Sequence, residues 1–256
     1  MRKMYFQKKG GECGSMRVLT DQPTLVEQVF DELLTDIVAG RLAPGTRLVQ
    51  EEIAATLDVS RQPVQQALLL LRGEGFVREA AGHRLIVAPI DIDFVRDIYE
   101  VRAVTEGLAC ALAASRGAGR AQRDGPAFIL KGREAEANGN IPRLIAADME
   151  FHKFLNEISG NSVIGQTTRP YWRHLQRVMA EVLLHDETPR QIWDQHEEIL
   201  DAVVRGDACT AEQKARQHIS RAAGIYIDRL MKMRGEESSA PATFASRGQK
   251  RRGRAR

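Results

Sequence analysis

Residues 51–77 read EEIAATLDVSRQPVQQALLLLRGEGFV, and this stretch decides the fold of the N-terminal part of the chain. Ile53, Ala54 and Leu57 fall on one side of a short helix over residues 50–57. Asp58-Val59-Ser60 is a tight connection, and Ser60 caps a further helix over about 61–74. Pro63 lies in the first turn, where a missing N–H costs little. Val64, Ala67, Leu68 and Leu71 form that helix's buried stripe, and Gly73 and Gly75 close it. Upstream, Leu25, Val29, Leu33, Ile37 and Val38 recur at helical spacing, with Asp21 or Thr24 as cap and Gly40 as stop. Pro44-Gly45 marks a turn. Downstream, Phe76-Val77-Arg78 and Leu85-Ile86-Val87 flank AAGH and read as a hairpin. Helix, helix, turn, helix and hairpin in that order is the winged form of the helix-turn-helix.

Beyond Pro89 and the acidic IDID, strand alternation ceases. The pattern predicts about six helices, near 91–116, 120–137, 141–158, 162–184, 189–205 and 208–232, which would pack as a bundle. The fold class expected is mainly α, with a winged helix-turn-helix over 20–90 and an all-α domain over 91–234. Residues 1–19 and 235–256 are expected to be a disordered extension and a disordered basic tail.

Net charge is +3 over 256 residues, but it is unevenly spread. Residues 20–90 hold 6 Lys/Arg against 10 Asp/Glu, whereas 235–256 hold 6 against 2. A DNA-binding role would therefore rest on placed side chains and helix ends, not on bulk charge. No apolar run approaches the ~20 residues of a membrane-spanning helix, and a cytoplasmic protein without a membrane partner is expected. Three scattered cysteines, Cys13, Cys110 and Cys209, carry no CxxC spacing and indicate neither a disulfide framework nor a cysteine zinc site.

The segments DIVAGRLAPGTRL (36–48), EEIAATLDVSRQPVQQALLLLRGEGFV and LIVAP (85–89) resemble the GntR family of bacterial regulators, in register over about 65 residues. The resemblance implies a double-stranded DNA operator as partner. It carries DNA contacts onto Arg47, Ser60, Arg61, Gln62 and Gln65, and onto the wing tip at His83 with Arg84 beside it. The physical reading agrees: a serine and an arginine at a helix start suit phosphate, and arginine can fork onto guanine. Where the family has an arginine this chain has Gln65, which prefers adenine N6/N7.

Asp148 and His152 lie four apart, so both project from one helix face. His196 and His218 lie on two later helices, and one carboxylate with three imidazoles from three helices could converge in a bundle interior. Spacing alone leaves His174 and His185 open as well. The text around them, AADMEFHKFLNEISGN (146–161), WDQHEEILDAVVRGD (193–207) and ARQHI (215–219), resembles the FCD effector domain of the FadR branch of the GntR family. That resemblance implies a divalent metal, Zn first and Ni or Mn as alternatives, held by Asp148, His152, His196 and His218. It also implies a small carboxylate effector and a homodimer.

EVRAVTEGLACALAA (100–114) resembles the domain's opening helix, whose arginine, here Arg102, is an effector-binding candidate able to clamp a carboxylate. The other reading is an internal pair with Glu106 four residues on. Asn161 is the second effector candidate, with a helix cap as its alternative role. Trp172, Arg173 and Trp193 are further pocket candidates, with a core role the default for the tryptophans.

The function expected is a transcriptional regulator of repressor type, modulated by a small organic acid at the metal. A regulator sensing the metal itself and a metallohydrolase are the competing readings. Against an enzyme, His196 opens HEEIL without the second histidine of HExxH, and neither a nucleophile elbow nor a phosphate loop is present.

Overall fold

The structure is a computed structural model that describes residues 23–185 and 191–239, with side chains described for 23–183 and 191–235. The expectations for residues 1–19, and those for the tail beyond Ser239, lie outside the described residues, as does Asp21. The chain forms two compact units. One comprises residues up to Thr35 and Gly45–Ala88, and the other Asp36–Pro44 and residues from Pro89 on.

In the N-terminal part, helix α1 (Leu25–Val38) starts on a capping box. The Thr24 hydroxyl accepts from the Glu27 backbone N–H (3.2 Å), and the Glu27 carboxylate accepts in return from the Thr24 N–H (2.6 Å). Val29, Leu33, Leu34 and Ile37 are buried, and Leu25 is exposed. Helices α2 (Gln50–Thr56) and α3 (Arg61–Gly73) follow, joined by a turn in which Asp58 takes a positive φ of 52°. Val64, Ala67, Leu68 and Leu71 are fully buried, so the apolar stripe of α3 is the core of this unit. Strands β1 (Val77–Ala80) and β2 (Arg84–Val87) pair antiparallel, Val77 opposite Val87 and Ala80 opposite Arg84. The segment after Pro44 joins the hairpin through an antiparallel bridge between Arg47 and Ile86.

The second unit is helical throughout its described residues. Helix α4 (Ile92–Ala137) starts at Asp91, whose carboxylate accepts from the backbone N–H groups of Asp93 and Phe94. It runs unbroken for 46 residues, where the sequence suggests two helices parted at 117–119. The glycine at that point serves close packing instead of a stop. A Cβ on Gly117 would lie 2.5 Å from the Ile158 carbonyl oxygen. Pro126 also stays inside the helix, although it removes one hydrogen bond.

Helix α5 (Ile141–Ile158) is capped by Asn140. The single helix expected over 162–184 is divided into α6 (Ser162–Thr168), a 3-10 turn (Arg169–Tyr171) and α7 (Trp172–His185). Pro170, with no N–H to donate and a restricted preceding residue, accounts for the break. Helices α8 (Ile192–Val204) and α9 (Ala208–Ser239) complete the unit, and α9 continues past residue 235, where a disordered tail is expected from sequence. Helix α4 is the spine against which α5, α8 and α9 pack.

One contact shows how tightly. The Trp193 ring, 1% exposed, fills the space beside Gly132, where a Cβ would lie 2.0 Å from the ring's Cζ2. Alanine at an exposed helical glycine gains up to about 1 kcal/mol of propensity. Against a rigid buried indole that gain is outweighed by overpacking of about 1–3 kcal/mol. Gly132→Ala is therefore expected to lower the urea midpoint, whereas Gly119→Ala, which meets nothing closer than the end of the Arg123 side chain at 3.8 Å, is expected to raise it slightly.

Candidate functional site

Asp148 and His152 on α5, His196 on α8 and His218 on α9 come together inside the second unit, all four buried. One ligand atom from each lies within 4.8 Å of every other. His196 Nε2 is 3.1 Å from His218 Nε2 and 3.4 Å from an Asp148 carboxylate oxygen, which in turn is 3.9 Å from His152 Nε2. His174 is elsewhere, its ring edge-on to Phe94 at 5.1 Å. The side chain of His185 lies outside the described residues.

The outer nitrogens explain why the inner ones point inward. His152 Nδ1 is 2.6 Å from a Glu106 carboxylate oxygen, and His218 Nδ1 is 3.0 Å from Gln195 Oε1. Glu106 and Gln195 each hold one ring through its Nδ1, which turns the Nε2 of both rings toward the centre. Burial, followed by the neighbouring positive groups, pushes His196 and His218 well below the usual imidazole range, so both are neutral near pH 7. Burial also pushes the Asp148 carboxyl up.

His152 Nε2 has no hydrogen-bond partner although fully buried. His196 Nε2 and His218 Nε2 are within hydrogen-bond reach of each other at 3.1 Å, and His196 Nδ1 is buried without a partner. An interior of three imidazole nitrogens and one carboxylate with these unmet nitrogens fits a divalent cation of intermediate softness.

Arg102 is 5% exposed and committed to Glu106, its Nε 2.5 Å from the carboxylate, so the internal pair is what the structure contains. Burial alone would raise the Glu106 pKa, but Arg102 and then His152 override it and hold it at about 2. Glu106 thus joins Arg102 to His152. The i,i+4 spacing to Arg102 is visible in the sequence; the link to His152 is purely tertiary. Gln195 gives no sequence signal either, being one more polar residue on α8. A cavity of about 260 Å³ beside His218 is lined by Gln195, Arg221 and Tyr226 among others. Asn161 lies outside that cavity. It caps α6, accepting from the Val163 N–H at 3.1 Å, and lines a different cleft with Trp172 and Arg173. Trp193 is core.

In the winged unit, Arg47, Ser60, Arg61, Gln62, Gln65, His83 and Arg84 are all exposed. Ser60 occupies the N-cap position of α3, but its hydroxyl makes no capping hydrogen bond, contrary to the role the sequence suggests for it. Ser60, Arg61, Gln62 and Gln65 occupy the first turns of one helix. Arg61 pairs with Glu51 on α2 at 2.9 Å, both side chains largely exposed. Gly82 and His83 take positive φ at the hairpin tip, and His83 contacts Glu79, which also meets Arg72 at 3.5 Å.

The match to known families fits this division. Residues 25–87 match the model of bacterial regulatory proteins, gntR family, and residues 97–221 match the FCD domain. The chain belongs to the GntR family and carries an FCD domain. It is a DNA-binding transcriptional regulator. It is 29% identical over 228 residues to an HTH-type transcriptional regulator in an unstable DNA locus of Streptomyces ambofaciens, covering 89% of this chain and 92% of that one. It is 26% identical over 198 residues to the HTH-type transcriptional repressor RspR of Escherichia coli K12, covering 75% and 85%. A putative GntR regulator from Rhodococcus sp. RHA1 shares the fold with a TM-score of 0.67 at 22% identity, covering 79% of this chain and 97% of that one.

If the four central groups hold a metal and Gln195 orients one of them, their variants separate by size of effect. Asp148→Ala is expected to abolish Zn²⁺ binding in calorimetric titration. Gln195→Leu, which removes only the acceptor for His218 Nδ1, is expected to weaken it about 10–100-fold.

Proposed function

We propose that this regulator is a homodimeric repressor whose FCD domain holds a divalent metal, Zn²⁺ first and Ni²⁺ or Mn²⁺ next, through Asp148, His152, His196 and His218. A small carboxylate completes that metal's coordination and changes operator affinity. The observation carrying this reading is the convergence of three Nε2 atoms and one carboxylate in a buried space, with two rings held through Nδ1 from outside.

The metal would supply an electrophilic anchor for the carboxylate. The protein's own part is to hold neutral imidazoles and exclude bulk water. The cavity beside His218 is small enough to favour an acid of few carbons, and Arg221 at its edge offers a cation, Arg102 being spent on Glu106. The relative named a repressor supports the same sign of regulation. An exposed apolar stripe on α4, formed by Phe94, Val101, Val104 and Leu108, supports pairing of two copies, because exposed large apolar residues repeat there at helical spacing.

DNA is read by Ser60, Arg61, Gln62 and Gln65 at the start of α3, with Arg47 and the His83–Arg84 wing on the backbone. The Ser60 hydroxyl, free of capping duty, is available to phosphate. The Arg61–Glu51 pair is exposed and worth under about 1 kcal/mol, so phosphate or guanine can displace Glu51.

The deciding experiment uses the full chain, stripped of metal or loaded with Zn²⁺, on an operator selected from random DNA, against a panel of small mono- and dicarboxylates. At least one acid is expected to shift operator affinity about tenfold or more, in the loaded protein only. Asp148→Ala should keep DNA binding and lose the response. A full response to metal alone would establish the metal-sensing reading, and indifference to both would overturn the sensing role. Separately, Arg61→Ala is expected to weaken operator binding about 10–100-fold in a gel-shift titration and to leave the thermal midpoint unchanged.

A further inference from the structure

A second cleft, of about 1070 Å³, lies between the middle of α4 around Arg120, α5, α6 and α7. Its lining carries four cations, Arg120, Lys153, Arg169 and Arg173, against one carboxylate, Glu157. Glu157 is shared between Arg120 at 3.7 Å and Lys153 at 4.0 Å, and Arg120 also meets Asp124, outside the lining, at 3.5 Å. Arg169 and Arg173 make no ion pair among the described residues. The cleft therefore has an excess of positive charge, with two guanidiniums uncommitted. They sit four residues apart, on either side of the Pro170 break.

An independent observation points into the same cleft. Asn156 lines it from α5, is only 6% exposed, and has no hydrogen-bond partner for either its amide nitrogen or its amide oxygen. A buried amide is ordinarily satisfied, because leaving it so forfeits the hydrogen bonds it had in water. Here a donor and an acceptor, both buried, are left without partners in a residue that lines a cationic cleft. Trp172, half-buried, supplies an apolar part of that wall.

We propose that this cleft is a second ligand site, separate from the histidine cluster, for a phosphate monoester on a hydroxyl-bearing carbon skeleton, such as a sugar phosphate or a nucleoside monophosphate. The guanidiniums of Arg169 and Arg173 match a dianionic phosphate, which offers several oxygens to their forked donors. Arg120 and Lys153 add to the favourable field. Asn156 exchanges one donated and one accepted hydrogen bond with the skeleton, and Trp172 covers its apolar face. A monocarboxylate carries half the charge of a phosphate monoester dianion, and a dicarboxylate spreads the same charge over two groups that cannot both meet one pair of guanidiniums as a single phosphate does.

The chain has two tryptophans, and Trp193 is buried in the core, so quenching on ligand addition reports on Trp172. The full chain, treated with chelator, is titrated with glucose 6-phosphate, AMP, inorganic phosphate and citrate. One of the two esters is expected to saturate below about 1 mM. Arg169→Gln with Arg173→Gln, both exposed positions, should weaken it at least about tenfold. Asn156→Leu should weaken it as well, with an unchanged far-UV spectrum. Asp148→Ala, which disables the histidine cluster, should leave it intact. The proposal is overturned if neither ester saturates up to about 10 mM, or if the double arginine variant binds as the parent does. It is overturned equally if inorganic phosphate or citrate binds as tightly as the better ester, since Asn156 and Trp172 would then have no role.

Discussion

A carboxylate buried between a guanidinium and an imidazole underlies the helical unit. Glu106 on α4 accepts from Arg102 on its own helix and from His152 on α5. Taking such charges out of water costs several kcal/mol each, and only close, hydrogen-bonded partners offset it. Arg102 does so for Glu106, which consequently stays ionised with a pKa of about 2. Asp148 is in a different position. Its nearest neighbours are His196 and His152, and burial keeps His196 neutral. Arg102, the buried cation within reach of its field, is bonded to Glu106. The protein has thus placed a carboxyl group and three imidazoles together in its core, with its one buried guanidinium there already bonded to Glu106. The divalent cation proposed above would bind such a set, whereas a proton on Asp148 would cost the carboxylate its use as a ligand.

Packing fixes where these groups can be. Asp148 and His152 are set by one helix, but His196 depends on how α8 is registered against α4. That register is held three residues earlier, where Trp193 enters the space left by Gly132. The Trp193 ring also touches His196, 4.6 Å between centroids, and Phe151 flanks the same imidazole at 4.6 Å. A shift of α8 by even part of a turn would move His196 Nε2 away from His218. Core packing and site geometry are therefore a single constraint, and a substitution at Gly132 acts on both.

Much of this is legible in the sequence, for identifiable reasons. The α3 stripe of Val64, Ala67, Leu68 and Leu71 is local and periodic, and the structure buries all four. Asp148 and His152 announce a shared face by spacing alone, and the surrounding segments bring His196 and His218 into the set. What fails to read is tertiary. Gly117 looks like a helix stop because glycine usually weakens helices, yet here it admits the Ile158 carbonyl. Pro170 sits inside a run that is helical by pattern, and steric exclusion overrides the pattern. Ser60 looks like a capping serine, and only the coordinates show its hydroxyl unengaged. Glu106 and Gln195 are ordinary helical polar residues until the helices are brought together.

The winged unit poses the opposite electrostatic problem. Its sequence over 20–90 has more acidic than basic residues, so a polyanion meets no general attraction there. Glu51 sharpens the point, since it lies 2.9 Å from the arginine at the start of α3. That pair holds the Arg61 guanidinium in place in the free protein at little net gain. In the DNA-reading role proposed for Arg61, the guanidinium would gain a stronger partner and Glu51 would be left facing a phosphate-rich surface. Misplaced duplexes, which offer Arg61 no guanine or phosphate at the right position, keep the repulsion without the compensation. An acidic neighbour beside a reading arginine thus lowers affinity for every sequence and lowers it least for the correct one, which favours specificity over strength. Gln65, neutral where the resemblance to the family implies an arginine, would act in the same direction, leaving base-edge hydrogen bonds to supply a larger share of the binding energy.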